Sequence, residues 1–409
     1  MTYEEFKKQV HDRVLQEIDF SREILDEDVL RLIDGEITGA GRTRHISVRE
    51  MKQLRQELFH SIRRLDVLQD LVDDPSVTEI MINGSEHIFI ERDGILRDSG
   101  VRFATQERLE DVVQAIVAGC NRTVNAASPI ADARLPNGSR VNVVMQPAAL
   151  GGPFVTIRRF PEHPIGIREL IAFGSVSEEI AAFLQKAVAS GCNIFVSGGT
   201  GSGKTTFLNA LSEFVPEDER VITIEDNAEL QIRHVKNLVR MEAREGGFDG
   251  LRPITIRDLI RTSLRMRPDR IIVGEVRGGE AIDMLQAMNT GHVSMSTGHA
   301  NSAADMLSRL ETMALMGMEL PVQAIRGQIA SAIDILIHLG RLRDHSRRVL
   351  EIAEICGLTD GEYELSPLFR FREKGEKDGR IIGSFERENS LRNTQKLEHA
   401  GLLPREARG

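Results

Sequence analysis

The stretch that decides the fold is N-I-F-V-S-G-G-T-G-S-G-K-T-T-F-L-N-A-L at residues 193–211. It opens as an apolar strand, passes through a glycine-rich loop and continues with the apolar spacing of a helix. Residues 198–205 fit the phosphate-loop pattern G-x-x-x-x-G-K-[ST] at every specified position. Because both flanks are correct, we prefer this interpretation to a glycine-rich turn before an ordinary helix. The stretch therefore predicts a nucleotide-binding α/β domain.

The backbone and side chains of the loop are predicted to contact the phosphates of a bound nucleotide and its Mg²⁺. Its glycines allow consecutive backbone N–H groups to turn inward around phosphates, and the helix N-terminus adds partial positive charge. Lys204 is predicted to reach the β- and γ-phosphates of ATP, and Thr205 to offer its hydroxyl to Mg²⁺. The predicted nucleotide-binding residues are Gly198, Gly199, Thr200, Gly201, Ser202, Gly203, Lys204, Thr205 and Thr206. ATP and Mg²⁺ are the predicted cofactors.

Two further apolar strands end in carboxylates. One leads to Glu275, as a Walker B element does, and alone would be interpreted as a solvated strand end. The other leads to an acidic group formed by Glu225, Asp226 and Glu229. Ligands of open α/β sheets bind beyond the carboxyl ends of strands, so both groups are predicted beside the phosphate loop, where they would support Mg²⁺ and orient water. At least one of the three acidic residues is expected to make only structural hydrogen bonds.

Two histidines flank a strand rich in Ser and Thr at residues 293–297. His292 precedes this strand and His299 follows it. A single histidine is usually structural, but a pair in this domain could sense the γ-phosphate or transmit its loss. A metal site is disfavoured because no third ligand is evident nearby.

Several arginines could supply positive charge to a γ-phosphate. Arg140 and Arg158 come before a predicted linker, and Arg240 and Arg244 follow an apolar strand. For any one of them, a surface cation is the default interpretation. A motor of several subunits needs cations that reach the γ-phosphate across an interface. Arginines just before a linker are placed to do so when domains close.

The chain divides into five predicted segments. They are a helical, charged region at 1–65, a mixed α+β domain at 66–160, a linker or hinge marked by Pro and Gly at 161–175, a domain of alternating helices and strands at 176–356, and a polar tail or small add-on at 357–409. The alternation in the fourth segment predicts a mostly parallel sheet covered by helices on both faces. In the first segment, Gly35–Gly41 predicts a loop. In the second, turns at 92–94 and 136–138 predict two hairpins.

Composition limits the function classes. The chain has 409 residues and a formal net charge of −10, with no Trp and two Tyr, which disfavours nucleic-acid binding. The three cysteines form no C-x-x-C pair and the N-terminus lacks an apolar signal segment. No apolar run approaches the roughly 20 residues of a membrane span. We therefore expect a cytoplasmic protein that meets a membrane only through a partner.

Four boxes, in this order, resemble the secretion ATPase superfamily of type II and type IV secretion and type IV pili. They are the phosphate loop at 198–205, the acidic box at 223–230, the strand and carboxylate at 271–275, and the histidine box at 291–301. Three further runs are similar to the branch that powers Tad/Flp-type pili, the CpaF or TadA proteins. These runs are R-P-D-R-I-I-V-G-E-V-R-G-G-E-A at 267–281, M-N-T-G-H at 288–292 and S-A-I-D at 331–334. The resemblance covers about residues 66–356.

The resemblance implies a PAS-like middle domain, a RecA-like nucleotide-binding domain and a homo-hexameric ATPase at the inner face of the cell membrane. In such proteins the two domains close on ATP, and the ring drives a polytopic membrane platform protein and, through it, pilin subunits. Carried over by position, Glu275 is the Walker B carboxylate, and Glu225 is the first choice in the acidic box with Glu229 as support. His292 and His299 match the two histidines of the histidine box. The candidate γ-phosphate arginines are Arg140, Arg158, Arg240 and Arg244.

Two features depart from the family pattern. Gly298 stands where a bulky apolar residue is more usual, which puts the rigidity of the strand end at His299 in question. The paired C-x-x-C metal module of some pilus and type II enzymes is absent, so we predict no zinc site.

The leading hypothesis is an ATP-hydrolysing motor for pilus assembly or secretion. One alternative is a nucleotide-gated docking scaffold with little turnover, which the intact Glu275 and acidic box disfavour. A second alternative, a traffic ATPase of type IV secretion or conjugation, stays open. A nucleic-acid motor is disfavoured by the charge balance. GTP specificity is disfavoured because the sequence has no N-K-x-D element.

Overall fold

The structure is a computed structural model that describes residues 2–18, 24–40, 46–92, 94–120, 122–159, 164–244 and 252–403. The chain divides into two compact units, Met1–Glu162 and His163–Gly409. In the described residues, no helix is long and apolar enough to cross a membrane.

The first unit begins with three helices in its described part, α1 (Tyr3–Glu17), α2 (Asp26–Ala40) and α3 (Val48–Arg63). Reciprocal caps begin α1 and α3, because Thr2 pairs with Glu5 and Ser47 pairs with Glu50. Apolar side chains three and four residues apart meet in one core that includes Phe6, Ile33 and Leu54. The predicted helical character of this region is confirmed.

The loop predicted at Gly35–Gly41 is wrong in its described part, because α2 continues to Ala40. Val29, Ile33, Ile37 and Ala40 lie on one side of this helix and are buried. Each internal glycine costs about 1 kcal/mol relative to alanine. Full burial of each large apolar side chain contributes about 1.5–3 kcal/mol, so the buried stripe outweighs the two glycines. Gly41 lies outside the described residues.

The rest of the first unit is an antiparallel sheet with helices. Its elements are α4 (Gln69–Asp73), β1 (Val77–Asn83), β2 (Ile88–Arg92), β3 (Ile95–Asp98), α5 (Gln106–Ala118), β4 (Ile130–Arg134), β5 (Arg140–Val144) and β6 (Phe154–Arg158). The strand order is β3-β2-β1-β6-β5-β4. Buried positions alternate along the strands and share one core with α5. Both predicted hairpins, β2–β3 and β4–β5, are confirmed as antiparallel pairs.

The second unit contains a nine-stranded sheet in its described part. Its elements are α6 (Ile167–Ala172), α7 (Glu178–Ala189), β7 (Ile194–Gly198), α8 (Lys204–Ser212), β8 (Arg220–Glu225), β9 (Asn237–Glu242), α9 (Ile256–Ser263), β10 (Arg270–Val273), α10 (Glu280–Asn289), β11 (Val293–His299), α11 (Ala303–Gly317), α12 (Val322–Ala332), β12 (Ile335–Arg341), β13 (Arg347–Thr359), β14 (Glu362–Lys377), β15 (Arg380–Arg387) and α13 (Gln395–His399). The order is β15-β14-β13-β12-β7-β11-β10-β8-β9, parallel from β12 to β9 and antiparallel from β12 to β15.

Helices cover both faces of this sheet, as the alternating pattern predicts. Ile194 and Val196 of β7 belong to a core shared with α7 and α8, whereas Phe195 belongs to a second core shared with α10 and α11. Every residue of β7 and β10 is buried, which explains their continuous apolar runs. The fold class is confirmed as α/β with N-terminal helices, an antiparallel-sheet domain and a large, mostly parallel sheet.

The sheet continues past residue 356, where the sequence suggested a loosely packed tail. Strands β13, β14 and β15 extend it, and many of their outer residues are exposed and charged, which hides the strand pattern. The described end of the chain returns to the core. Glu354, only 2% exposed, accepts hydrogen bonds from the backbone of Arg392 and Asn393, and Leu397 is buried.

The predicted linker at 161–175 also carries structure in its described part. Helix α6 occupies residues 167–172, and its Leu170 is buried in the core beside α7. Pro and Gly mark the ends of this short helix rather than an extended connection. Residues 160–163 lie outside the described part of the chain.

Candidate active site

The phosphate loop joins β7 to α8. Gly201 and Gly203 have φ angles of 71° and 91°, in the left-handed region that favours glycine. Gly198 is needed for space, because a Cβ there would lie 2.7 Å from the carbonyl oxygen of Leu339 on β12. The glycines of the pattern are therefore required by backbone conformation and by close packing against a neighbouring strand.

Lys204 begins α8 and is only 8% exposed. Its Nζ lies 3.3 Å from the carbonyl oxygens of both Gly198 and Gly199, and 3.2 Å from Nδ1 of His299. Burial lowers the pKa of Lys204, and the nearby carboxylate of Glu275 opposes that shift. The ammonium group is thus held at the mouth of the loop by weak, long contacts that phosphate oxygens can replace.

The register of the sheet brings His299 to the loop. Strands β7 and β11 are parallel, and His299 lies directly opposite Gly198. His299 Nε2 lies 2.9 Å from Oε1 of Glu275. Burial is the main cause that lowers the pKa of His299, and the positive charge of Lys204 adds to it against the effect of Glu275. His299 therefore stands between the loop lysine and the strand-end carboxylate.

Glu275 follows β10 and pairs with an arginine that the sequence analysis missed. Nη2 of Arg277 donates to Oε2 of Glu275 at 2.8 Å, and Nη1 of Arg277 lies 3.8 Å from Oδ2 of Asp226. Among the described residues, Oε1 of Glu275 is buried and makes no hydrogen bond, although Nε2 of His299 lies 2.9 Å away. A cation two residues after a strand-end carboxylate was the available sequence signal.

Glu225 ends β8 and is only 3% exposed. Its Oε1 accepts from the backbone N–H groups of Glu229 at 2.8 Å and Leu230 at 2.9 Å, while its buried Oε2 has no hydrogen-bond partner among the described residues. Burial raises the pKa of Glu225 to about 7, although these backbone donors and the charge of Arg240 favour its carboxylate form.

The two carboxylate strands are direct neighbours. Val273 of β10 lies opposite Ile224 of β8, and a Cβ at Gly274 would lie 3.0 Å from Cγ of Glu225. Glu225 and Glu275 therefore follow adjacent parallel strands at one edge of the sheet. Arg240 is bound nearby, since its Nη2 donates to the carbonyl oxygen of Leu230 at 3.1 Å.

The residues at this edge fit a magnesium–nucleotide complex. Oε2 of Glu225 and Oε1 of Glu275 are buried acceptors without a hydrogen-bond partner in the described part of the chain. Carboxylate oxygens that water or a cation can satisfy are what Mg²⁺ needs, because it prefers oxygen ligands and keeps several waters. Thr205, the second residue of α8, has the hydroxyl that would complete the set.

Other predicted site residues lie elsewhere. His292 precedes β11 at the opposite edge of the sheet, about 20 Å along the strand from His299. Its nearest polar partner is Thr290, whose Oγ1 is 3.3 Å from its Nδ1. Arg244 donates to the carbonyl oxygen of Arg252. The structure of this unit alone does not place His292 or Arg244 beside the loop.

Arg140 and Arg158 belong to the first unit, where they lie directly opposite each other on β5 and β6. Nη2 of Arg140 is 3.9 Å from Oδ1 of Asp132, a long contact for an ion pair. Glu79 is the neighbour of Arg158 on its other side. These two cations share one partly exposed face of the small sheet.

The unusual Gly298 has a packing reason. A Cβ at this position would lie 2.9 Å from Cε of Met306 and 3.1 Å from Cε1 of Phe195. Both neighbours are fully buried. The volume that a bulky residue would occupy is therefore filled from the adjacent helix and strand, which packs the strand end at His299 without a side chain at 298.

The chain is similar in sequence and in fold to known proteins. A family model described as "Type II/IV secretion system protein" matches residues 63–383. Conjugal transfer protein TrbB of Rhizobium radiobacter is 34% identical over 306 residues, covering 73% of this chain and 90% of its own. Type IV secretion system protein VirB11 of Brucella suis biovar 1 is 33% identical over 307 residues, covering 67% and 84%. The X-ray structure of the Legionella pneumophila ATPase DotB, 24% identical, has a TM-score of 0.51 over 69% of this chain and 78% of its own, a likeness of fold.

Proposed function

The chain belongs to the type II/IV secretion system ATPase family, and on this premise we propose that it is a Mg²⁺-dependent ATPase that works as a hexameric motor. The motor powers assembly of a Tad/Flp-type pilus, or secretion, from the inner face of the membrane through a polytopic platform protein. One observation carries the proposal. A single edge of the large sheet gathers Lys204, Glu225, Glu275 and His299 around one phosphate loop.

Each residue of the site has a part in hydrolysis. Bound ATP and Mg²⁺ would supply the bond to be broken and a cation that neutralises the phosphates. Lys204 exchanges the loop carbonyls for phosphate oxygens. Thr205 and Glu275 would hold Mg²⁺, partly through water. Glu225 accepts a proton from the attacking water at Oε2, the oxygen that its backbone donors leave open.

His299 links nucleotide state to the rest of the site. It contacts Lys204 on one side and Glu275 on the other, at 3.2 Å and 2.9 Å. If the ammonium group of Lys204 moves onto phosphate oxygens, its contact with His299 weakens. The positive charge next to the imidazole ring then changes. The residue is therefore placed to register the arrival and loss of the γ-phosphate.

The arginines of the small sheet supply the coupling to movement. Like charges directly opposite on adjacent strands repel each other, and an anion near both relieves that repulsion. Arg140 and Arg158 form such a pair and have the chemistry to bind a γ-phosphate. The hinge that the sequence predicts within 161–175 would have to lie before α6, whose Leu170 is packed in the core of the second unit. Arg240 adds charge next to Glu225.

A second candidate function is a traffic ATPase of conjugation or type IV secretion. The names of TrbB and VirB11, both above 30% identity, favour it. The site chemistry is the same in the two cases, and the difference lies in the membrane machine that the ring serves.

A chromosomal Glu275→Gln replacement separates the two functions. The variant keeps the size of the side chain but removes its negative charge. We therefore expect an inactive motor that still assembles. If the motor's output is pilus assembly, the predicted result is loss of surface pili, scored by electron microscopy, with conjugation frequency and effector export unchanged. A wild-type copy supplied from a plasmid is the control and should restore the pili. Loss of DNA transfer or export with normal pili would support the second candidate instead.

A further inference from the structure

The phosphate loop lies against the β12–β13 turn, defined here as residues 339–347, which includes the end of β12 and the first residue of β13. A Cβ at Gly198 would meet Leu339, one at Gly201 would lie 3.8 Å from Nη1 of Arg341, and one at Gly203 would lie 3.3 Å from Cδ of Arg347. Each of these loop glycines therefore has a close neighbour from the same turn. The turn lies about 140 residues after the loop in sequence, so no local sequence pattern predicts the contact between them.

The side chain of Arg347 makes a hydrogen bond from the turn to the tip of the phosphate loop. Its Nε donates to the carbonyl oxygen of Gly201 at 2.8 Å. Gly201 has a φ of 71° and stands at the exposed tip of the loop. Because a peptide unit is planar, holding the Gly201 carbonyl also fixes the orientation of the N–H of Ser202. That N–H now makes a long bond of 3.3 Å to the carbonyl oxygen of Gly199, which a phosphate oxygen can replace.

The backbone at Arg347 is held in place by neighbouring strands and side chains. Arg347 lies opposite Arg341 in the antiparallel pair of β12 and β13. The next residue, Arg348, donates to the carbonyl oxygens of Gly174 and Ile381 and lies over the ring of Phe371. The backbone from which Arg347 reaches the loop is thus held by contacts of its own.

The other arginines of this turn have different partners. Nη2 of Arg341 lies 3.1 Å from Nδ1 of His345. Arg343 pairs with Glu373 at 2.7 Å and with Glu376 at 3.2 Å. Arg343 shares the charge and exposure of Arg347 but does not bond to the loop, so it is a matched control.

We infer that Arg347 is a positioning residue for nucleotide binding, which holds the tip of the phosphate loop in the conformation that accepts a polyphosphate. The inference rests on the proposed function, since it presumes that the loop binds a nucleoside di- or triphosphate. Arg347 acts on the peptide between Gly201 and Ser202 from the outside. It therefore changes affinity for the phosphates more than the rate of hydrolysis once they are bound.

Equilibrium binding and kinetics of the full chain test this role. For Arg347→Gln we expect the Kd of N-methylanthraniloyl-ADP and the KM for ATP to rise roughly 10- to 100-fold, the effect of losing one charge-assisted hydrogen bond. The kcat should stay within about twofold. Arg347→Lys, which keeps the charge but not the planar donor, should be weakened to a similar extent. Arg343→Gln should bind as the wild type does, and all three variants should unfold at the wild-type temperature without nucleotide.

Three results would overturn the inference. The first is an Arg347→Gln protein with wild-type Kd and KM. The second is equal weakening in Arg347→Gln and Arg343→Gln, which would indicate a general charge effect. The third is a lowered unfolding temperature with no change in KM, which would indicate a role in the fold alone. A wild-type chain that binds no nucleotide would overturn the proposed function as well, and so differs from these three.

Discussion

Replacing Lys204 with alanine is expected to weaken ATP and ADP binding at least about 100-fold. The lysine is almost fully buried at the mouth of the loop, and its Nζ makes only long contacts of 3.3 Å to loop carbonyl oxygens, which phosphate oxygens can replace. Each charge-assisted hydrogen bond to a phosphate is worth about 1.5–3 kcal/mol, so the loss of two exceeds a factor of 100 in the binding constant. The measurement is equilibrium binding of a fluorescent ADP analogue at fixed salt.

Lys186 offers a matched control for this substitution. It is an exposed lysine of the same unit, on α7. Lys186→Ala should bind nucleotide as the wild type does. A Lys204→Ala protein that keeps wild-type affinity would mean that nucleotide does not bind in this loop.

Replacing Glu225 with glutamine is expected to lower ATP turnover about 10²–10⁴-fold, the usual contribution of a general base. Nucleotide affinity should change only a few-fold, because Glu225 ends β8 and is not part of the phosphate loop. Glutamine can still accept the backbone hydrogen bonds of Glu229 and Leu230 through its own Oε1. It cannot take a proton from water at the second position. Phosphate release at saturating ATP measures the effect.

The role of Glu225 as a base also predicts the direction in which ATP turnover changes with pH. Burial raises the pKa of Glu225 to about 7, so below pH 7 the carboxyl is mostly protonated and cannot act as a base. Turnover by the wild type should therefore rise with pH through about 7. Glu229→Gln is the control, since Glu229 serves Glu225 through its backbone, and it should keep most of the activity. Equal losses in both variants, or a profile that falls with pH, would remove Glu225 from the role of base.

The local strand-end patterns predict which residues the parallel strands bring to one edge of the sheet. The phosphate loop, Glu225 and Glu275 each follow an apolar strand, and parallel strands bring their carboxyl ends to one edge. Sequence alone could not rank the two histidines, because both flank β11. Only the direction and register of that strand show that His299 lies beside the loop and His292 at the far edge.

Contacts between distant parts of the chain could not be predicted. Arg347 reaches Gly201 across about 146 residues, and no periodicity marks the pair. Strands β14 and β15 carry so many exposed charges that their alternation is hidden. In α2 the error was the opposite one, because two glycines suggested a break where a buried apolar stripe keeps the helix intact.

The most direct test of the central claim is ATP turnover by the purified wild-type chain across a protein concentration series, with Glu275→Gln measured beside it. The claim is that the loop and the two strand-end carboxylates form a hydrolytic site that works in a ring. It predicts turnover per chain that rises with concentration in the wild type and falls to background in the variant, while the variant still binds nucleotide. Turnover that Glu275→Gln leaves unchanged would contradict the assignment of this site.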